Sequence, residues 1–189
     1  MIIVRNKKES VEKMKELKLN YFPLKVFDKN DLEGLKEFFD SYPSPEYAVR
    51  STDKAKGKFF FVSCYEEVLP LLVNFEKNVT ISVSYNPFKE DIILVGDLKV
   101  IRKEDEIEVD LTARTDSEAN HRNIYEEPEY NLHASIDDDS LWNIPGFSTI
   151  MKYIVDYKLY DCVVEFAVYN CKIGINKENV VISEIRTDY

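Results

Sequence analysis

Apolar positions recur at helical spacing in several stretches of the chain. Val11, Met14 and Leu17 behind Ser10 predict a helix over 11–18, ended by Asn20-Tyr21-Phe22-Pro23. Leu32, Leu35, Phe38 and Phe39 form a stripe that Asn30 or Asp31 can cap, and Tyr42-Pro43-Ser44-Pro45 breaks the chain after it. Val68, Leu69, Leu72, Val73 and Phe75 give 66–75 a broad apolar face, with Pro70 placed in its first turn. Ile150, Met151, Ile154 and Val155 predict a last helix running from a capping Ser148 to Lys158.

Between these lie segments with the period of strands. Leu24–Phe27, Tyr47–Thr52 and Phe59–Val62 are short and apolar. Val79, Ile81 and Val83 alternate with Thr80, Ser82 and Ser84, the signature of a half-buried strand. Ile92–Val95 is a continuous apolar run ending at Gly96-Asp97, and 106–111 alternates acid with aliphatic. These middle strands read as antiparallel neighbours, turning at Asn86-Pro87 and at 103–105. Two strands close the chain, 163–169 and 180–186, with 176–179 as turn material. The pattern predicts an α+β fold of antiparallel sheets with flanking helices. It is expected to be one domain over 1–189, with two lobes of about 1–78 and 79–189. Residues 116–140 are polar and acidic with little periodicity, which predicts a long loop or lid, or a solvated surface excursion.

Charge narrows the function classes. The 189 residues carry a formal charge of −10. A chain this acidic lacks the field that coats nucleic acid, so no nucleic-acid partner is expected. No apolar run reaches the roughly 20 residues of a membrane helix, so no membrane partner is expected either. Cys64, Cys162 and Cys171 form no C-x-x-C pair, which points to a reduced, cytoplasmic protein. With 5 glycines there is no Gly-rich phosphate loop.

The chemistry concentrates in the two closing strands. Glu165 and Glu184 each sit inside an apolar strand, and alternation puts Glu184 and Arg186 on one face. If the strands pair, the two carboxylates lie opposite or near each other and repel. A divalent cation, Arg186, or proton uptake can relieve that repulsion, unless both residues merely face solvent. Arg50-Ser51 precedes Lys54, Lys56 and Lys58, a local run of cations that can hold phosphate or form a solvated turn. His121 and His133 lack partners at ligand spacing and read as surface or loop residues. No nucleophile elbow is present.

Three segments, in order, resemble the nucleotide-binding domain of pyruvate phosphate dikinase and phosphoenolpyruvate synthase, an ATP-grasp fold. They are Lys7 to Phe27, Ala48-Val49-Arg50-Ser51-Thr52 (similar to a V-R-S-S motif), and Val164-Glu165-Phe166-Ala167 with Glu184-Ile185-Arg186 (similar to E-W-A and Q-x-R). The resemblance implies a cleft between two lobes that binds ATP with Mg²⁺. Arg50 and Arg186 would contact phosphates and serve catalysis. Lys7, or Lys8 if the register slips, would reach a phosphate, with Ser51 beside it. Val83 would border the adenine pocket, and Glu165 and Glu184 would bind magnesium. The implied activity is phosphoryl transfer or ATP-dependent carboxylate activation on an acceptor the sequence does not name. The alternative is a non-catalytic module that docks a protein partner. The chain departs from the family's pattern in lacking the Gly-Gly-Lys-Gly glycines, in Glu184 for glutamine, and in being much shorter than that domain. No phosphohistidine domain or pyruvate-binding barrel fits in it.

Overall fold

The computed structural model describes residues 3–5, 7–51, 57–104, 106–115 and 127–187. Two antiparallel sheets organise them. The first contains β1 (Leu24–Asp28), β2 (Tyr47–Ser51), β3 (Phe59–Val62) and β4 (Asn78–Val83), in the order β1-β4-β2-β3. Helix α2 (Leu32–Ser41) and the short α3 (Tyr65–Val68), which continues as a 3-10 segment over Leu69–Asn74, pack on one face of it. Asp31 caps α2 by accepting the Gly34 N–H at 3.0 Å, which satisfies a donor the helix cannot. Strand alternation sends Tyr47 and Val49 of β2 into this core and leaves Ala48 and Arg50 on the opposite face.

The second sheet contains β5 (Ile92–Arg102), β6 (Ile107–Arg114), β7 (Tyr130–Ser135), β8 (Cys162–Ile173) and β9 (Glu178–Arg186), in the order β7-β6-β5-β8-β9. Helices α1 (Lys7–Glu16) and α4 (Phe147–Tyr157) bury its other core, around Leu98, Val164, Phe166, Phe147 and Ile154. Helix α1 is tied to the edge strand β9: the Ile185 N–H donates to Ser10 Oγ at 2.9 Å. The following turn is tied there too, because buried Asn20 donates to the carbonyls of Ile173 and Val180 at 2.9 and 2.7 Å.

Several expectations change. Strand β4, which spans the expected lobe boundary near 79, is an inner strand of the first sheet, paired to both β1 and β2. For the same reason β4 is not a neighbour of β5. The segment from Val4 to Tyr21 belongs to the second lobe's core, although it begins the chain. Strand β5 does not stop at Gly96 but runs 11 residues to Arg102. A Cβ at Gly96 would come within 2.5 Å of the Thr112 carbonyl and 2.6 Å of the Ala113 Cβ, so the glycine permits close strand approach and ends nothing. Helix α4 starts at Phe147, with Gly146 at φ +73° in the capping position in place of Ser148. The expected loop over 116–140 contains the edge strand β7 and a 3-10 segment over Asp139–Asn143; residues 116–126 lie outside the described residues.

Candidate functional site

A cavity of about 200 Å³ lies between the two sheets. Leu24, Ala48 and Arg50 of the first sheet line one side, and Glu165 and Ser183 of the second line another. Lys7 reaches in from the first turn of α1. Phe59 and Phe61, one residue apart on the edge strand β3, share a face by alternation and meet edge-to-face at 4.8 Å between ring centroids. They are 51% and 46% exposed, unusual for phenylalanines, and form an apolar wall with Phe22 and Tyr85.

Charge is arranged in one row across the second sheet. Asp97 of β5 is the ladder partner of Glu165 of β8, and Glu165 is the partner of Glu184 of β9. Three carboxylates in register on one face repel. The protein supplies cations against them. Lys7 Nζ is hydrogen-bonded to Glu184 Oε2. Arg186 Nε donates to Glu165 Oε1 at 3.2 Å, and its Nη2 lies 3.9 Å from Asp97 Oδ2. Arg50 lies within electrostatic reach of both glutamates. Its Nε is buried and has no hydrogen-bond partner.

The burial is felt by each charge. Desolvation, then the neighbouring Glu184 and Asp97 carboxylates, push the Glu165 pKa up, against the opposing pull of Lys7 and Arg186. Desolvation and then the Arg50 charge push Lys7 down, with Glu184 and Glu165 opposing. Desolvation also lowers Arg50. A lysine at the first position of a helix further opposes the helix dipole. Shifted, clustered charges in one cleft make these residues the candidates for a functional site.

The structure therefore brings together Lys7, Arg50, Glu165, Glu184 and Arg186, and Val83 also lines the cavity. Ser51 is not with them: it lies on the opposite face of β2 from Arg50, and its Oγ accepts the Lys58 N–H at 2.9 Å. His133 stands on β7 at the far edge of the second sheet, with Nδ1 2.5 Å from Asp110 Oδ1. Lys54, Lys56 and His121 lie outside the described residues. Asp97 and the Phe59–Phe61 wall were not legible as site residues. The only signal was period 2 in Phe59-Phe60-Phe61, which puts two aromatic rings on one strand face.

A triphosphate–magnesium group fits this donor set. Two facing carboxylates are the number a protein usually offers Mg²⁺ when phosphates complete the shell. Among the described residues, no group of three or more carboxylate, imidazole or thiol side chains forms a cage that would hold a metal unaided. An orphaned buried guanidinium nitrogen asks for an anion.

Two facing antiparallel sheets with flanking helices and a charged cleft between them agree with the ATP-grasp fold that the sequence resemblance implies. The chain is similar in structure to D-alanyl-alanine synthetase A from Vibrio cholerae, with a TM-score of 0.56 and 10% identity over 96% of this chain and 55% of that one. It is similar to D-alanine-D-alanine ligase from Helicobacter pylori, with 0.56 and 13% over 96% and 53%. It is also similar to the ADP complex of purK, N5-carboxyaminoimidazole ribonucleotide synthetase, with 0.58 and 14% over 97% and 45%. The chain spans about half the length of these structures. At such identities the likeness is one of fold. No protein-family model and no curated protein matches the sequence. Among the described residues, no helix is long and apolar enough to cross a membrane, and all three cysteines are free.

Proposed function

We propose that this chain binds ATP with Mg²⁺ between its two sheets and uses it to activate a carboxylate as an acyl phosphate. The observation that carries the reading is Arg50, a half-buried residue in the cleft whose Nε is buried and unpartnered, set beside Lys7. The ADP held by one structure of similar fold, and the ligase and synthetase names of the others, support the same reading.

The roles follow from chemistry. The wall of Phe59, Phe61, Phe22 and Tyr85 suits the flat face of a base, with Val83 at its edge. Arg50 and Lys7 bind phosphate oxygens, Arg50 through a planar fork. Glu165 and Glu184 hold the metal, which when bound offsets charge on the phosphates. An oxygen of the acceptor carboxylate attacks the γ-phosphorus. The bond from that phosphorus to the bridging oxygen breaks, and ADP leaves with that oxygen. Arg50 and Arg186 stabilise the charge on the transferring group. A cavity of about 200 Å³ is smaller than the ~300 Å³ at which ligand pockets usually begin, so a whole nucleotide needs the lobes to part.

Phosphoryl transfer to another acceptor, as the dikinase resemblance implies, would use the same charges. Hydroxylamine trapping separates the two, because only an acyl phosphate gives a hydroxamate. The internal ion pairs of Glu165 and Glu184 favour one other reading, a non-catalytic module on an eroded site that docks a protein partner. Thermal denaturation decides between binding and erosion. ATP with Mg²⁺ should raise the melting temperature, because a ligand of the native state stabilises by mass action. A melting curve unmoved by saturating nucleotide and Mg²⁺ would remove the proposal.

A further inference from the structure

The site's own cations occupy the groups that a metal would need. Lys7 is bonded to Glu184, and Arg186 is bonded to Glu165 and lies near Asp97. The side chains of Lys7, Glu184, Glu165 and Arg186 are only 19%, 19%, 23% and 26% exposed, so water screens these pairs poorly. Resting on the nucleotide reading above, the geometry points to a partner exchange: nucleotide and divalent cation load together or hardly at all, because the Lys7–Glu184 and Arg186–Glu165 pairs form a latch that neither ligand opens alone.

The argument is one of charge left over. A metal ion arriving alone must take Glu165 and Glu184 from their partners. That strands an ammonium and a guanidinium beside Arg50, a third partly buried cation. Breaking a partly buried pair without replacing the partner is costly. A nucleotide arriving alone can draw Lys7 and Arg186 onto its phosphates. Glu184 and Glu165 then face each other across the ladder with Asp97 next in the row. With both present, every group is paired again: carboxylates to metal, cations to phosphate. Asp97 gives Arg186 a carboxylate to keep as Glu165 is taken, which makes Asp97 a positioning residue of the exchange. The two carboxylates are in register only because β8 and β9 pair Glu165 with Glu184, so the latch is built into the sheet.

The test uses the whole chain and two independent readouts. In calorimetric titrations, the affinity for ADP should rise about tenfold or more when Mg²⁺ is present, and the affinity for Mg²⁺ should rise by the same factor with ADP, as linkage requires. Equal ADP affinity with and without Mg²⁺ would overturn the exchange while leaving nucleotide binding intact. The second readout needs no nucleotide. Mn²⁺ binding, followed by electron paramagnetic resonance, should be weak in the wild type. It should strengthen about tenfold in the Lys7→Met/Arg186→Met double variant, whose carboxylates are no longer latched. If Mn²⁺ binds both proteins alike, the latch is wrong. If no nucleotide binds under any condition, the nucleotide reading falls and takes the exchange with it, even if the double variant gains Mn²⁺ affinity.

Discussion

Arg50 shows what one residue's surroundings can decide. In the sequence it is a basic residue at the end of a short strand. In the fold its Nε is buried and unpartnered, a state that costs stability. Arg50→Met should therefore leave the free protein as stable, or about 1 kcal/mol more stable, while abolishing the thermal response to ATP with Mg²⁺. Denaturant titration and melting curves measure the two halves separately. Glu165 makes a second prediction through its raised pKa. A carboxyl raised on folding favours the native state while protonated. Its contribution is complete below the unfolded value near 4.5 and is lost as pH rises through the higher folded value. Glu165→Gln keeps the neutral form at every pH. The variant and the wild type should melt together in acid, and the variant should melt higher as pH approaches neutrality. A constant offset across that range would mean that the charge of Glu165 is not what the fold works against.

At the scale of elements, the strand pattern was legible and its phase was not. Period 2 placed Glu184 and Arg186 on one face, as the fold does. Continued backwards, the same alternation would put Ile182 on that face too. Instead Ile182 and Ile185 both face the core, because the register slips between Glu165/Glu184 and Phe166/Ile182 and leaves Ser183 as an extra residue lining the cavity. A bulge of this kind re-aims neighbours beside a site and has no mark in hydropathy. Gly96 was misread for a related reason. Locally it is a strand breaker, while in the sheet it is a close-approach position against Thr112 and Ala113. Gly96→Val should cost about 1–3 kcal/mol by overpacking, measured by urea unfolding. Asn20 ties α1's exit turn to the β8–β9 hairpin. Its amide serves the carbonyls of Ile173, Glu178 and Val180, and its Oδ1 accepts the Asn176 N–H at 2.9 Å. Asn20→Ala should cost about 2–4 kcal/mol, because buried carbonyls lose their donors.

For the molecule as a whole, the two apolar cores are distinct, one under each sheet, and the site lies on the faces they leave uncovered. That division is why the cleft can carry clustered charge without dissolving either core. It also sets where a ligand would act. Hydrogen exchange should show the two lobes opening as separate units. ATP with Mg²⁺ should protect β2, β4, β8 and β9 together, more than the distant β6–β7 pair. Protection confined to one sheet would mean that the ligand does not bridge the lobes.

By itself the sequence determined the helices, most strands, the α+β class and the residue types of the site, because periodicity and side-chain chemistry are local properties. Arg50, Glu165, Glu184 and Arg186 could be picked out that way, while Lys7 entered only through the family resemblance. Only the tertiary structure decided that β4 lies between β1 and β2, that the first helix belongs to the last strand, and that Lys7 bonds to Glu184 across 177 residues of chain. It likewise places Ser51 on the opposite face of β2 from Arg50 and brings Asp97 beside Glu165 and the phenylalanine wall to the cleft. Pairing and burial depend on which distant surfaces can cover one another, and that is a property of the assembled sheets, which no single segment contains.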